Sequence, residues 1–171
     1  MTRLSIADID ALAIDGFVAL FGGIAEHSPW VAEAAAAKRP FGSRGAMVAA
    51  FHATLDEAAP ATLLALIRAH PDLAGKAARA GTLTEDSTIE QRGGGLDRLS
   101  DAEFDRFTDL NERYKARFGF PFIHAVRGGA SKEQILASFE TRLGNDAATE
   151  FATAIAMIKA IVGFRLEDRV S

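Results

Sequence analysis

"SDAEFDRFTDLNERYKARFG", from Ser100 to Gly119, sets Phe104, Phe107, Leu110, Tyr114 and Phe118 three or four residues apart with charges between them. That is the period of a helix with one face turned to a core. Ser100 and Glu103 have capping-box spacing at its start, and Gly119 with Pro121 ends it. The same period recurs elsewhere. Met47, Val48, Phe51 and Leu55 form a stripe after Ser43, and Phe151, Ile155, Ile158 and Val162 form another in the last long segment. Shorter helices are expected from Ser5, Asp15, Ser28, Ala61 and Ser131, with Pro29 suited to the first helical position. The only strand-like run is "FPFIHAV", and one short run makes no sheet. The chain therefore reads as one all-α domain over residues 1–171, a bundle of about eight helices.

Composition supports a single globular domain, with 49% apolar and 25% charged residues in 171. There are no cysteines, which excludes a disulfide framework, a Cys-ligated zinc and a thiol nucleophile. A net charge of −4 without a long basic run argues against nucleic acid as a partner. The N-terminal "MTRLSIADIDAL" does not have the build of a secretory signal. No uncharged apolar run reaches the roughly 18 residues of a membrane span. The C-terminal "EDRVS" carries no peroxisomal tripeptide. These features lead us to expect a cytoplasmic protein with no membrane partner.

Three stretches carry chemistry. In "AHPDLAGK" (Ala69–Lys76), His70 continues the apolar face of Leu63 and Ile67, and Pro71 forces the helix to end there. Such a histidine can simply favour a helix C-terminus, or it can move protons near neutral pH. In "EDSTIEQ" (Glu85–Gln91), Ser87 with Glu90, or Thr88 with Gln91, has capping-box spacing and marks a helix start. The same free amides, with Ser, Glu and Gln beside them, suit an anionic ligand. Gly93–Gly95 follow, so either the helix breaks or another backbone comes close. "FGFPFIHAVRG" (Phe118–Gly128) is apolar without helical caps. Buried irregular backbone needs hydrogen-bond partners, which favours a ligand or water beside it. Lastly, Arg165 lies on the apolar face of the final helix and requires an anion, either a protein carboxylate or a substrate.

Together, "EHSPWVAE" (Glu26–Glu33), "IRAHPDLAGK" (Ile67–Lys76), "LTEDSTIEQRGGGLDRLS" (Leu83–Ser100) and "LNERYKARFGFPFIHAVRG" (Leu110–Gly128) resemble the OHCU decarboxylase family. OHCU is 2-oxo-4-hydroxy-4-carboxy-5-ureidoimidazoline. The resemblance implies a cofactor-free, metal-free, all-helical homodimer. It would convert OHCU to (S)-allantoin and carbon dioxide after urate oxidase and hydroxyisourate hydrolase have acted. It also implies that His70 is the catalytic histidine, that Glu90 is its acid–base carboxylate, and that Pro71 lines the substrate site. Ser87, Thr88, Ile89, Glu90 and Gln91 match the substrate-binding segment. Phe122, Ile123, His124, Ala125 and Val126 match a segment whose backbone contacts substrate, and Arg165 matches a C-terminal substrate-binding arginine. The missing peroxisomal tripeptide suggests a bacterial-type enzyme.

Such chemistry suits these residue types. One ring carbon of OHCU carries both the carboxylate and a hydroxyl beside a ring C=N, which accepts the electrons released with carbon dioxide. The resulting enediol-like species must then be protonated on one face only. An imidazole can relay that proton, a carboxylate can tune it, and amide donors can hold the ureido group. The main rival is a non-catalytic helical interaction module, which predicts no allantoin binding. A metallohydrolase using His27, His52, His70 and His124 is the weaker rival, because those histidines lack a zinc-binding helical spacing.

Overall fold

The computed structural model describes residues 3–127 and 130–171. Met1 and Thr2 of the quoted N-terminus, and Gly128 at the end of the third stretch, lie outside the described residues. Among those described there are ten helices, eight of them of seven residues or more, and no sheet. The first five are α1 (Ile6–Asp10), α2 (Ile14–Phe21), α3 (Trp30–Ala36), α4 (Arg44–Glu57) and α5 (Pro60–Ala69). They are followed by α6 (Lys76–Ala80), α7 (Glu85–Gly93), α8 (Asp101–Phe118), α9 (Lys132–Arg142) and α10 (Ala147–Arg169). The all-α reading holds, and "FPFIHAV" forms no strand.

The caps explain most of the boundaries. Ser5 and Ser43 accept from the backbone N–H three residues on, and the Ser100–Glu103 and Ser131–Gln134 boxes both close. Gly119 ends α8 at φ 76°, a left-handed conformation that glycine adopts without a Cβ penalty. Three starts differ by one residue from expectation. α2 begins at Ile14 rather than Asp15. Pro60 takes the first position of α5, as its fixed φ allows, whereas Pro29 sits at the cap of α3. The five-residue α6 is too short to leave a periodic signal.

The Cα packing divides the chain into two compact units. The first comprises residues up to Ala69 together with Ile158–Ser171. Here α3 packs on α2 and α4. Phe17 gathers the rings of Phe21, Phe41 and Phe51 at centroid distances of 4.9, 5.9 and 6.2 Å. The second unit comprises His70–Met157. Its core centres on Tyr114, whose ring meets Phe118, Phe120, Phe122 and Phe139 at 4.7–6.0 Å.

α10 buries Ile158 and Val162 of its expected apolar stripe but not the stripe's first half. Phe151 and Ile155 are only half-buried, and the inward line runs Glu150, Ala154, Ile158, Ile161, Val162, Arg165 and Leu166. α10 has 23 residues, and an 18-residue stretch of it with a mean hydropathy of 1.5 makes it long and apolar enough to cross a bilayer by length and composition. A search for an uncharged run passes over it because Glu150 and Lys159 interrupt it.

Candidate active site

His70 is the first residue after α5 and is 8% exposed. Its Nε2 makes no hydrogen bond within the chain, although the residue engages its neighbours in other ways. The loop that follows is fixed from two helices. Gln91 Oε1 on α7 accepts from the Ala74 N–H at 2.9 Å, and Asn111 Nδ2 on α8 donates to the Leu73 carbonyl at 2.9 Å. Lys115 Nζ reaches the Asp72 carboxylate at 2.6 Å. Ala74 adopts φ 53°, a region costing about 1–3 kcal/mol for a residue with a side chain. These bonds hold it there.

α7 begins earlier than its apparent capping boxes indicate. Thr84, in extended backbone, accepts from the Ser87 N–H at 3.4 Å, and Glu85 and Asp86 fill the first turn where the dipole favours acids. Ser87 and Thr88 are therefore inside the helix, and Thr88 Oγ1 donates to the Thr84 carbonyl at 2.9 Å. Glu90 consequently lies in the second turn rather than the first. Ser87 and Gln91 are buried, Glu90 and Thr88 are half-buried, and Ile89 is 59% exposed.

Of the two expectations for the triple glycine the helix break is the one seen, and the close neighbour is a side chain rather than another backbone. α7 breaks at Gly93, and a Cβ on Gly94 would stand 2.3 Å from Val126 Cγ1. Glycine here lets the end of α7 meet the third stretch. Gly94→Ala should cost about 1–3 kcal/mol by overpacking, and adding Val126→Ala should recover part of the loss. Urea unfolding of the single and double variants measures that coupling.

From Phe120 to Val126 the chain has no regular secondary structure and is mostly buried. Phe122 stacks on Phe139 (3.8 Å, 11°) and on His124 (5.8 Å, 8°), with the Arg142 guanidinium 4.4 Å from its centre. The Ile123 carbonyl accepts from Arg142 Nη1 at 2.7 Å. Among the described residues, no N–H from Phe122 to Val126 donates to a partner in the chain. Burial, then the Arg142 charge, lowers the pKa of His124 below the usual histidine value, so its ring is neutral near pH 7. Its Nδ1 is buried without a hydrogen bond.

Behind this segment lies a buried polar cluster that sequence reasoning missed. Glu150, 0% exposed, accepts from Arg142 Nε at 2.8 Å, from Asn145 Nδ2 at 2.8 Å and from the Tyr114 hydroxyl. Burial and the neighbouring carboxylate raise the Tyr114 pKa well above the usual phenol value, so the hydroxyl keeps its proton.

The structure thus gathers the three stretches within the second unit: Ala74 bonds Gln91, and Gly94 meets Val126. Arg165 belongs to the first unit. The anion it requires is present in the protein, since its Nη1 donates to Glu26 Oε2 at 3.1 Å and to the Ile24 carbonyl at 3.2 Å. Among the described residues, no group of three or more His, Cys, Asp or Glu is placed to hold a metal ion. His52 is bonded to the Lys159 carbonyl at 2.9 Å. The four-histidine metal site has no geometric basis there.

Residues 10–167 match the family model described as OHCU decarboxylase. The chain is 39% identical over its whole length to a 2-oxo-4-hydroxy-4-carboxy-5-ureidoimidazoline decarboxylase of Haloferax volcanii, covering 99% of that protein. It is 37% identical to one of Halalkalicoccus jeotgali over 98% of this chain and 93% of that one. A crystal structure of (S)-allantoin synthase superposes with a TM-score of 0.76 at 29% identity. That alignment covers 98% of this chain and 54% of the longer one. With a full-length family match and close archaeal relatives whose chains it spans almost completely, this protein belongs to the OHCU decarboxylase family.

Proposed function

We propose that the protein decarboxylates OHCU to (S)-allantoin and carbon dioxide in urate breakdown. Its family membership over residues 10–167 carries this reading. The local geometry supports it, because the His-Pro loop, α7 and the Phe122–Val126 segment are fastened to one another inside one unit.

In this reading, decarboxylation sends its electron pair into the ring C=N of the substrate. His70 and Glu90 then manage the proton delivered to the ureido-bearing carbon. Pro71 and the Ser87–Gln91 face of α7 bound the substrate, and Ile89, exposed on that helix, offers it an apolar contact. Gln91 uses its oxygen on Ala74, which leaves its amide N–H groups as the donors for substrate. The open N–H groups from Phe122 to Val126 supply further donors without reorganising during the reaction. We further propose a cytoplasmic homodimer, supplied with OHCU by hydroxyisourate hydrolase downstream of urate oxidase.

Freshly made OHCU, followed by circular dichroism, tests the activity. Rapid appearance of (S)-allantoin supports it. Racemic product at the rate of buffer alone would leave a non-catalytic helical module as the better reading.

We also propose, from the family resemblance, that Arg165 binds an anionic group of the substrate in addition to its pair with Glu26. Arg165→Lys is expected mainly to raise KM, since lysine keeps the charge but loses the planar fork. A lower melting temperature with KM unchanged would assign Arg165 wholly to its pair with Glu26.

A further inference from the structure

We infer that Arg142, held by Glu150, is a positioning residue that aims the backbone N–H of His124 at the substrate. The inference deepens the decarboxylase reading and rests on it. A segment from Phe120 to Val126 with no strand partner needs something else to fix its peptide planes. Side chains provide it. Phe122 packs against both the Phe139 ring and the Arg142 guanidinium, and Val126 fills the space left by Gly94.

The link that sets a direction is the bond from Arg142 Nη1 to the Ile123 carbonyl at 2.7 Å. The peptide between Ile123 and His124 is trans, because Arg39–Pro40 is the cis bond among the described residues. In a planar trans peptide the C=O and the following N–H point in opposite directions. With the Ile123 oxygen drawn toward Arg142, the His124 N–H faces away from the buried cluster, and among the described residues no acceptor takes it up.

Glu150 makes the arrangement rigid. Its carboxylate receives Arg142 Nε at 2.8 Å and Asn145 at 2.8 Å, as well as Tyr114, so the guanidinium has no latitude to turn. A buried ion pair adds little stability over a well-packed apolar substitute. A guanidinium that grips a carboxylate with one edge and a carbonyl with another does what an apolar side chain cannot: it fixes the orientation of a donor.

Arg142→Lys tests the assignment, because one ammonium cannot serve both Glu150 and the Ile123 carbonyl in the same geometry. In the variant, KM for OHCU should rise about tenfold, the scale of one well-placed hydrogen bond, with kcat changed less. In ¹⁵N-labelled wild type, the His124 amide resonance should move on titration with (S)-allantoin, and in Arg142→Lys it should not. A folded variant with unchanged KM, or a wild-type His124 amide unmoved by bound allantoin, would overturn the inference. A fall in melting temperature alone would reduce Arg142 to a core ion pair. If the variant does not fold, the wild-type titration decides. Wild type that neither converts OHCU nor binds allantoin would overturn the decarboxylase reading and this inference with it.

Discussion

His70→Asn is expected to give a folded protein that yields nearly racemic allantoin at close to the uncatalysed rate. Asparagine keeps a polar group at the end of α5, and the loop beyond is held by Gln91, Asn111 and Lys115. The fold should therefore survive. Loss of general acid–base catalysis removes about 10²–10⁴-fold in rate, or roughly 3–5 kcal/mol at 1.36 kcal/mol per decade. A histidine that only ended its helix would give a different result: about 2 kcal/mol of stability lost at most, with turnover near wild type. Free OHCU decays to racemic product, so the measurement must combine initial rate with enantiomeric excess. A folded variant still making (S)-allantoin at close to the original rate would show that His70 only terminates α5.

Glu150→Ala should be the most destabilising single change in the second unit. It leaves the Arg142 guanidinium buried without its carboxylate, and breaking a buried pair in this way costs about 3–5 kcal/mol. Tyr114 and Asn145 lose their acceptor in the same step. Removing both charges is much milder. Arg142→Met combined with Glu150→Ala should regain a large part of the loss, because the remaining cluster is aromatic and apolar. Urea unfolding of the two single variants and the double variant gives the coupling energy. Near-additive losses would mean that the pair is not the unit that matters. The double variant also separates stability from positioning, since it should fold while keeping the raised KM expected of Arg142→Lys.

The helical class was legible because it rests on local rules. The stripe from Phe104 to Phe118, the Ser100–Glu103 box and Gly119 are complete within one stretch, and each is realised. His70 at the end of α5 was readable for the same reason, since Pro71 dictates it from the next position. The start of α7 was misread because several residues there could cap. Thr84 prevails since it alone precedes both first-turn acids. The hidden cluster left a fainter mark. Tyr114 follows Phe107 by seven residues, Arg142 follows Phe139 by three, and Glu150 precedes Ala154 by four. Each is a polar side chain on an apolar face, the signal that identified Arg165. What no sequence pattern states is which loop a buried charge holds, because that partner is set by tertiary packing.

The segment from Phe120 to Val126 has a consequence for the unfolded chain. Seven residues rich in aromatic and β-branched side chains, without an acid, lysine or arginine, have the composition of a cross-β nucleus. Their amides, unpaired among the described residues, are what a neighbouring copy needs to add a strand. Pro121 interrupts the run one residue from its start and Arg127 closes it, the placement of gatekeepers around an apolar stretch. Leaving those amides open thus exposes the chain to self-association whenever the second unit opens.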